Sequence, residues 1–551
     1  MNVLLQDYAK SQAELRPEAT AVVLGTYRMS YGELEQSSNR IAHLLAETGC
    51  KPGARVCLFV PKSPAAIVAM MATLKAGCIY VPIDITSPAA RVEQIVRATK
   101  PHAVFVDVTA TRLVDGVISL GAFQPDTIFI SLSGDHQAGR NFDASLSARD
   151  WLEMSPSVLP GRRSSSEAAH ILFTSGSTGV PKGVVLTHDN VVHFVEWARG
   201  YFGIRPSDRM SGHAPLYFDL STFDVYGTFA VGAELHLVSP SKSMLPHVLA
   251  DFIRGSELTQ WFSVPSVLTF LATFDAVRDF PSLRRVVWCG DVLPIAILRY
   301  WMERVSHAVY TNLYGPTEAT IASSYYTVTQ PLENMLNSIP IGTACSGEEL
   351  LVLDERLEPT SPGEIGDLYI SGVGLSPGYW RDEERTNAVF LPHPRPRDHM
   401  TRIYRTGDLA KADEKGIVYF LGRRDSQIKH RGYRVELGEV EAALSSLDHI
   451  AECAVVGIGV DGLEGTAICC AYTLMPGTQI EIPDLKEALR IVLPVYMLPT
   501  RWLELAILPT NANEKIDRPR LRELFRERES EASPTHDATV AEVPARTPAC
   551  G

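Results

Sequence analysis

A chain of 551 residues is too long for one ordinary hydrophobic core, and a makeup of 45% hydrophobic and 21% charged residues fits a globular protein with a large body and at least one smaller unit. The formal charge of −13 argues against a nucleic-acid partner, which needs a net basic face, but leaves room for a local anion site. Nine scattered cysteines without metal-ligand spacing, no secretory pattern in Met1 to Gln12, and a longest apolar run (Ala65 to Leu74) about half a membrane span long point to a reduced, cytoplasmic protein with no membrane partner.

From Leu4 to Ala46 the pattern is helical, broken by a turn at Tyr27-Arg28, and Ser30 and Glu33 stand at capping-box spacing. A strand at Arg55 to Val60, a buried helix at Ala65 to Lys75 and a strand at Ile79 to Pro82 form a β-α-β unit. Residues Asp107 to Ser166 are weakly patterned, with strands expected at Val117 to Leu120 and Thr127 to Leu132. A strand at Gly183 to Leu186 and a helix at Asn190 to Phe202, capped by Thr187 or Asp189, open an alternation that runs to Tyr326 and predicts layered α/β packing. Short β segments with turns follow from Ile341 to Phe420. A smaller α+β unit then carries helices at Glu439 to Leu447 and from Pro483, with strands at Glu452 to Ile458 and Ala467 to Thr473. Glu527 to Gly551, rich in Glu, Ser, Ala, Pro and Thr, is expected to be a disordered tail.

The most informative stretch is Ile171-Leu172-Phe173-Thr174-Ser175-Gly176-Ser177-Thr178-Gly179-Val180-Pro181-Lys182-Gly183. Its glycines let backbone N–H groups approach an anion, its hydroxyls add donors and Lys182 adds charge. It is not a Walker loop, because Gly183 stands where a Ser or Thr should hold Mg²⁺. On its own it reads as a phosphate loop or as a flexible surface turn.

Its neighbours decide between the two. Met29 to Leu34, Leu74 to Asp84, Ser211 to Ser221, Asn312 to Glu318, Gly363 to Gly372, Tyr404 to Leu409, Gly422 to Glu441, Leu493 to Pro499 and Asn511 to Arg518 follow in order. Together with the loop they resemble the motifs of the adenylate-forming ligases (ANL superfamily), in particular freestanding amino-acid adenylation domains of the non-ribosomal peptide synthetase type, over nearly the whole chain.

The resemblance implies a large N-terminal domain of layered α/β subdomains plus a β-barrel-like subdomain (1–424), hinged at Asp425 to a small C-terminal α+β domain (425–526) ahead of the tail (527–551). ATP would be held by Thr174, Ser175, Gly176, Ser177, Thr178, Gly179 and Lys182, with Tyr314 against the adenine, Thr317 on a phosphate, Asp408 on the ribose hydroxyls and Arg423 nearby. Glu318 would hold Mg²⁺. Lys515 and Lys429 would be the catalytic lysines, each brought in by one orientation of the small domain. Glu514 departs from the pattern, which has glycine there, and puts the geometry beside Lys515 in doubt.

Asp219, beside apolar Phe218 and Leu220, needs a cation if buried; by itself it also reads as a helix cap. By resemblance the cation is the α-ammonium of an amino acid, whose side chain would meet Leu220, Phe223, Ser263, Val287, Cys289, Leu313, Ile321 and Ala322. That set has no counter-charge, so the expected substrate is a small neutral amino acid of alanine, serine or cysteine size, with proline or valine next. No carrier-protein, condensation or thioesterase motif is present. The partner implied is therefore a separate phosphopantetheinylated carrier protein, with a small MbtH-like helper protein as a further candidate. An acyl- or aryl-CoA ligase using the same chemistry, or a non-catalytic scaffold on the same fold, are the alternatives. His213 and His236, without metal-ligand spacing, read as structural.

Overall fold

The computed structural model describes residues 3–132, 142, 146–161, 164–176, 180–329, 338–397, 400–424, 427–460, 465–510 and 516–532. Among these, two α/β sheets form the body. One has six strands in the order Ile128–Ser131, Ala103–Val106, Arg55–Phe59, Ile79–Pro82, Ala168–Thr174, Lys182–Thr187, parallel except for the last pair. Its inner strands are continuous apolar runs because helices cover both faces. The other has nine strands in the order Thr343–Ala344, Ser324–Thr327, Val309–Tyr314, Arg285–Cys289, Gln260–Ser263, Arg209–Gly212, Glu234–Leu237, Thr20–Leu24, Tyr27–Ser30.

Helix Pro64–Lys75 shows how local sequence sets these units. Ser63 caps it by accepting from the Ala66 amide at 3.2 Å, proline opens the first turn, and its apolar circumference is buried between layers. The capping box at Ser30 forms as expected, and Thr187 rather than Asp189 caps helix His188–Phe202. His236 hydrogen-bonds Glu234 at 2.9 Å, and His213 packs on Trp261 and lines the cavity described below.

A third, antiparallel sheet holds Glu348–Leu353, Gly366–Gly372, Met400–Ala412, Phe390–Arg397 and Val418–Arg423. Beyond it lie a hairpin, Gln427–His430 with Tyr433–Glu436, and a three-stranded sheet of Ile450–Gly459, Thr466–Leu474 and Arg501–Glu504 under helices Leu437–Ser445 and Ile482–Arg490. Two apolar clusters lie wholly within this C-terminal part, centred on Val440, Leu485 and Met497 and on Val456, Leu503 and Phe525.

Three sequence expectations are corrected. Thr20–Leu24 is a strand, whose β-branched run turns at Gly25-Thr26 and pairs back with Tyr27–Ser30; Tyr27-Arg28 open that second strand and are not the turn. Residues 117–120 end the helix Thr111–Ser119, because Val114 and Val117 share one buried helical face. Helix Arg518–Ala532 takes in 527–532, which were expected in the tail. Asp517 accepts from the Arg520 amide at its start, and Leu521 and Phe525 bury against the sheet. No helix among the described residues is long and apolar enough to cross a membrane.

Candidate active site

The phosphate loop joins two antiparallel strands, with Thr174 opposite Lys182, so it is a hairpin loop and not the start of a helix. Gly176 is required there, since a Cβ would drive into the Val180 carbonyl. Among the described residues nothing hydrogen-bonds the buried Thr174 hydroxyl, a donor suited to an anion's oxygen. Ser175 donates to the Arg434 carbonyl at 2.8 Å. Ser177, Thr178 and Gly179 lie outside the described residues.

Glu318 is fully buried (0% exposed) at the end of the motif that follows strand Val309–Tyr314. Gly315 lets that loop lie on the Ala322 backbone, where a Cβ would come within 2.5 Å of the Ala322 Cα. Lys182 Nζ stands 3.2 Å from Glu318 Oε1, Arg434 Nη1 2.7 Å from Oε2, and the Tyr379 hydroxyl donates to Oε1 at 2.8 Å. Burial pushes this carboxyl up, but Arg434, Lys182 and Tyr379 together hold it well below the carboxylate range. Among the described residues no group of three His, Cys, Asp or Glu gathers. A lone carboxylate beside a phosphate loop suits Mg²⁺, which keeps waters and takes phosphate oxygens.

Tyr314, Asp408 and Arg423, expected at the nucleoside, form one group. Tyr314 donates its hydroxyl to Asp408 Oδ2, and Arg423 Nη1 reaches Asp408 Oδ1 at 2.5 Å. Lys429 Nζ lies 5.9 Å from the Tyr314 ring centroid.

At the other end, Asp219 is 7% exposed at the start of helix Leu220–Val231, yet its side chain makes no capping bond. Its carboxylate is met instead by the adjacent Leu220 amide and lines a cavity. The Thr317 hydroxyl donates to its Oδ2 at 2.8 Å, which places Thr317 between the carboxylate and the phosphate region. Burial raises the Asp219 carboxyl to about 6, against the pull of Thr317 and of the Lys429 charge.

A cavity of 590 Å³ joins these parts, lined by Thr174, Ser175, Asp219, Leu220, Ser263, Cys289, Tyr314, Thr317, Asp408, Arg423 and Lys429. Leu313 lines an adjoining cavity of 610 Å³. Phe223, Val287, Ile321 and Ala322 lie behind the wall, in one apolar cluster with Phe194 and Phe262. The Ser263 hydroxyl accepts from the Trp261 indole at 2.9 Å and donates to the Val264 carbonyl at 3.2 Å, while the Cys289 thiol faces the Ile321 carbonyl at 3.7 Å. Both polar groups expected in the pocket are thus engaged with the protein itself.

The hairpin 427–436 inserts into this cavity. Its two-residue turn, Arg431-Gly432, has positive φ at both positions, and a Cβ on Gly432 would meet the Val264 side chain at 2.7 Å. Tyr433 stacks on Tyr496 and packs edge-on against Phe218, beside Asp219. Arg91, on helix Ala89–Thr99, forms a buried ion pair with Glu439 on helix Leu437–Ser445. Lys515, Glu514 and Asp425 lie outside the described residues.

Arg434 and Tyr379 were missed in the sequence, although both sit inside stretches singled out there. An arginine after Gly-Tyr and a tyrosine after Pro-Gly carry no sign of a shared carboxylate partner far away in the chain. Asp291 was missed as well; burial raises its carboxyl and the Lys429 charge opposes that.

Residues 9–380 match the AMP-binding enzyme family and residues 439–515 its C-terminal domain. The chain is 35% identical over 519 residues to an L-proline--[L-prolyl-carrier protein] ligase of Streptomyces coelicolor, covering 91% of this chain and 93% of that protein. It is 32% identical to Tyrocidine synthase 2 of Brevibacillus parabrevis over 94% of this chain, which spans only 13% of that synthase. Among solved structures, the Vibrio cholerae adenylation domain AlmE in complex with glycyl-adenosine-5'-phosphate is similar with a TM-score of 0.80 and 25% identity, covering 96% of this chain and 98% of that one. PA1221, a non-ribosomal peptide synthetase protein with adenylation and carrier domains, is similar with a TM-score of 0.78 and 26% identity over 94% of this chain and 84% of that one. With the motif residues converging on one cavity, these matches show that the chain belongs to the AMP-binding enzyme family and is an adenylation domain of the ANL superfamily of adenylate-forming ligases.

Proposed function

We propose that the protein activates a small neutral amino acid as its aminoacyl-AMP and passes it to the phosphopantetheine thiol of a separate carrier protein in the cytoplasm. The observation that carries this reading is Asp219, a buried carboxylate at the end of the ATP-sized cavity that is not used as a helix cap. An amino acid's ammonium meets that need; an acyl or aryl acid leaves it unmet.

In the first step the substrate carboxylate attacks the α-phosphorus of ATP and the bond to pyrophosphate breaks. Bound Mg²⁺ would neutralise phosphate charge beside Glu318. Asp219 orients the ammonium, Thr317 bridges Asp219 to the phosphate region, the Thr174 hydroxyl and Lys182 meet the phosphates, and Asp408 fixes the ribose. Lys515 stabilises the charge on the reacting oxygens in the orientation that brings it in.

The hairpin carrying Lys429 and Arg434 lies against Tyr314 and Glu318, an arrangement that suits the second step, with Asp425 as the pivot between the two orientations. The enclosed wall and the engaged Ser263 and Cys289 favour small side chains with few polar atoms. The relatives named for proline make proline a first candidate beside alanine, serine and cysteine. A helper of the MbtH-like kind remains part of the proposal to be tested by co-purification.

The test is transfer. With ATP, Mg²⁺ and labelled amino acid, label should appear on a phosphopantetheinylated carrier protein in a hydroxylamine-sensitive bond. Label on coenzyme A and none on carrier would favour the CoA-ligase alternative instead.

A further inference from the structure

We propose that Lys62, which no motif singles out, is a positioning residue that sets the place of Asp219. The inference rests on the reading of Asp219 as the amino-acid anchor. Lys62 lies in the turn between strand Arg55–Phe59 and helix Pro64–Lys75 of the six-stranded sheet. Its Nζ donates to three successive carbonyls at the end of a strand of the other sheet and just beyond it, Gly212 at 2.7 Å, His213 at 2.5 Å and Ala214 at 3.2 Å. An ammonium has three N–H donors, so this contact saturates it, and a neutral amine could not make all three bonds. Lys62 is therefore a staple between the two sheets and not a free cation for substrate, although it lines the same cavity.

The carbonyls it gathers begin the loop that leads from strand Arg209–Gly212 to Phe218 and Asp219. Asp219 makes no N-cap bond further into the helix; its carboxylate is met by the adjacent Leu220 amide and by Thr317, its one hydrogen-bonding side chain among the described residues. The start of the loop has to be held from elsewhere. Asp224, five residues beyond Asp219 and 2% exposed, is the buried carboxylate whose charge acts on Lys62; the His213 and Ala214 amides of the same loop meet it, and among the described residues no side chain hydrogen-bonds it. Burial drives its carboxyl up and the Lys62 amine down, and each opposes the shift of the other. Lys62 accordingly has two separable roles, compensating Asp224 and tethering the loop.

That separation gives the experiment. Lys62→Met removes both roles and leaves Asp224 buried and uncompensated; Lys62→Met with Asp224→Asn removes the tether without leaving an unpaired charge. Asp224→Asn alone controls for the bonds Asp224 itself makes to the His213 and Ala214 amides; its amino-acid KM is expected within about twofold of wild type, and a rise equal to that of the double variant would overturn the proposal. Thermal unfolding is measured beside KM for the amino acid and for ATP in amino-acid-dependent ATP–pyrophosphate exchange. The single variant is expected to lose stability, and the double variant to regain most of it. The amino-acid KM should stay raised by about tenfold or more in the double variant, with the ATP KM within about twofold of wild type, since small misplacements of a binding group cost this much. A double variant that recovers the amino-acid KM along with stability, or a rise shared equally by both substrates, would make Lys62 merely structural and overturn the proposal. If Lys62→Met fails to fold, the double variant decides alone. Absence of exchange in the wild-type protein with every amino acid would instead refute the reading of Asp219.

Discussion

Arg434 Nη1 stands 2.7 Å from Glu318 Oε2, so the carboxylate suited to Mg²⁺ is held by an arginine carried on the inserted hairpin. The arginine's charge at that oxygen opposes a dication there. Hairpin position and Mg²⁺ binding are therefore expected to be coupled through this side chain. Arg434→Ala is expected to lower the Mg²⁺ concentration for half-maximal exchange severalfold and to slow transfer to the carrier thiol by about tenfold, the scale of losing a charge-assisted hydrogen bond. Titration of Mg²⁺ in both half-reactions checks this. Unchanged Mg²⁺ dependence would mean that the two do not compete for Glu318.

Asp219 gives a pH prediction. Its carboxyl is raised from 3.8 to about 6 by burial, so the folded state binds the proton more tightly than the unfolded state. Stability therefore falls as pH rises from about 4 to about 6, and above that range the charged form costs on the order of 2 to 3 kcal/mol without substrate. Asp219→Asn should be the more stable protein at pH 7 by about that amount, with the difference vanishing below about pH 4, and it should lose amino-acid-dependent exchange. Urea unfolding at the two pH values measures it, and an equal difference at both would contradict the assignment.

The ion pair between Arg91 and Glu439 is buried on both sides, at 8% and 3% side-chain exposure, and joins helices from the two parts of the chain. Removing one partner of a buried pair costs about 3 to 5 kcal/mol because the other charge is left uncompensated. Glu439→Ala should therefore disfavour the observed orientation. Thiol transfer is expected to fall more than exchange does, and limited proteolysis of the 425–426 junction should accelerate. Proportional losses in both half-reactions would show that the pair does not select an orientation.

Much of this site was legible in the sequence because its short motifs carry backbone-bound chemistry. The glycines around Thr174 and at Gly315, the carboxylates Asp219, Glu318 and Asp408, and Tyr314 announce themselves locally; Asp219, Asp408, Tyr314 and Gly315 line one cavity, while Glu318 is fully buried beside Lys182. What stayed hidden depends on distant pairing. Nothing near Arg434 signals Glu318, nothing near Lys62 signals the carbonyls of 212–214, and Arg91 is 348 residues from its partner. The secondary-structure corrections have the same origin: Val114 and Val117 suit either a strand or a helix until the layer they pack against is known. The pocket reading was limited differently, since a residue's identity does not say that the Ser263 hydroxyl is already taken by Trp261.

The central claim is amino-acid activation at the Asp219 cavity, and ATP–pyrophosphate exchange across the common amino acids together with aryl and fatty acids tests it most directly. Exchange should be strong with one or a few small neutral amino acids, proline, alanine, serine or cysteine among them, absent with amine-free acids, and reduced by about 100-fold or more in Lys515→Ala, the scale of losing one electrostatic contact to the transition state. Strong exchange with a charged, large aromatic or amine-free acid, and none with the small neutral set, would contradict the account.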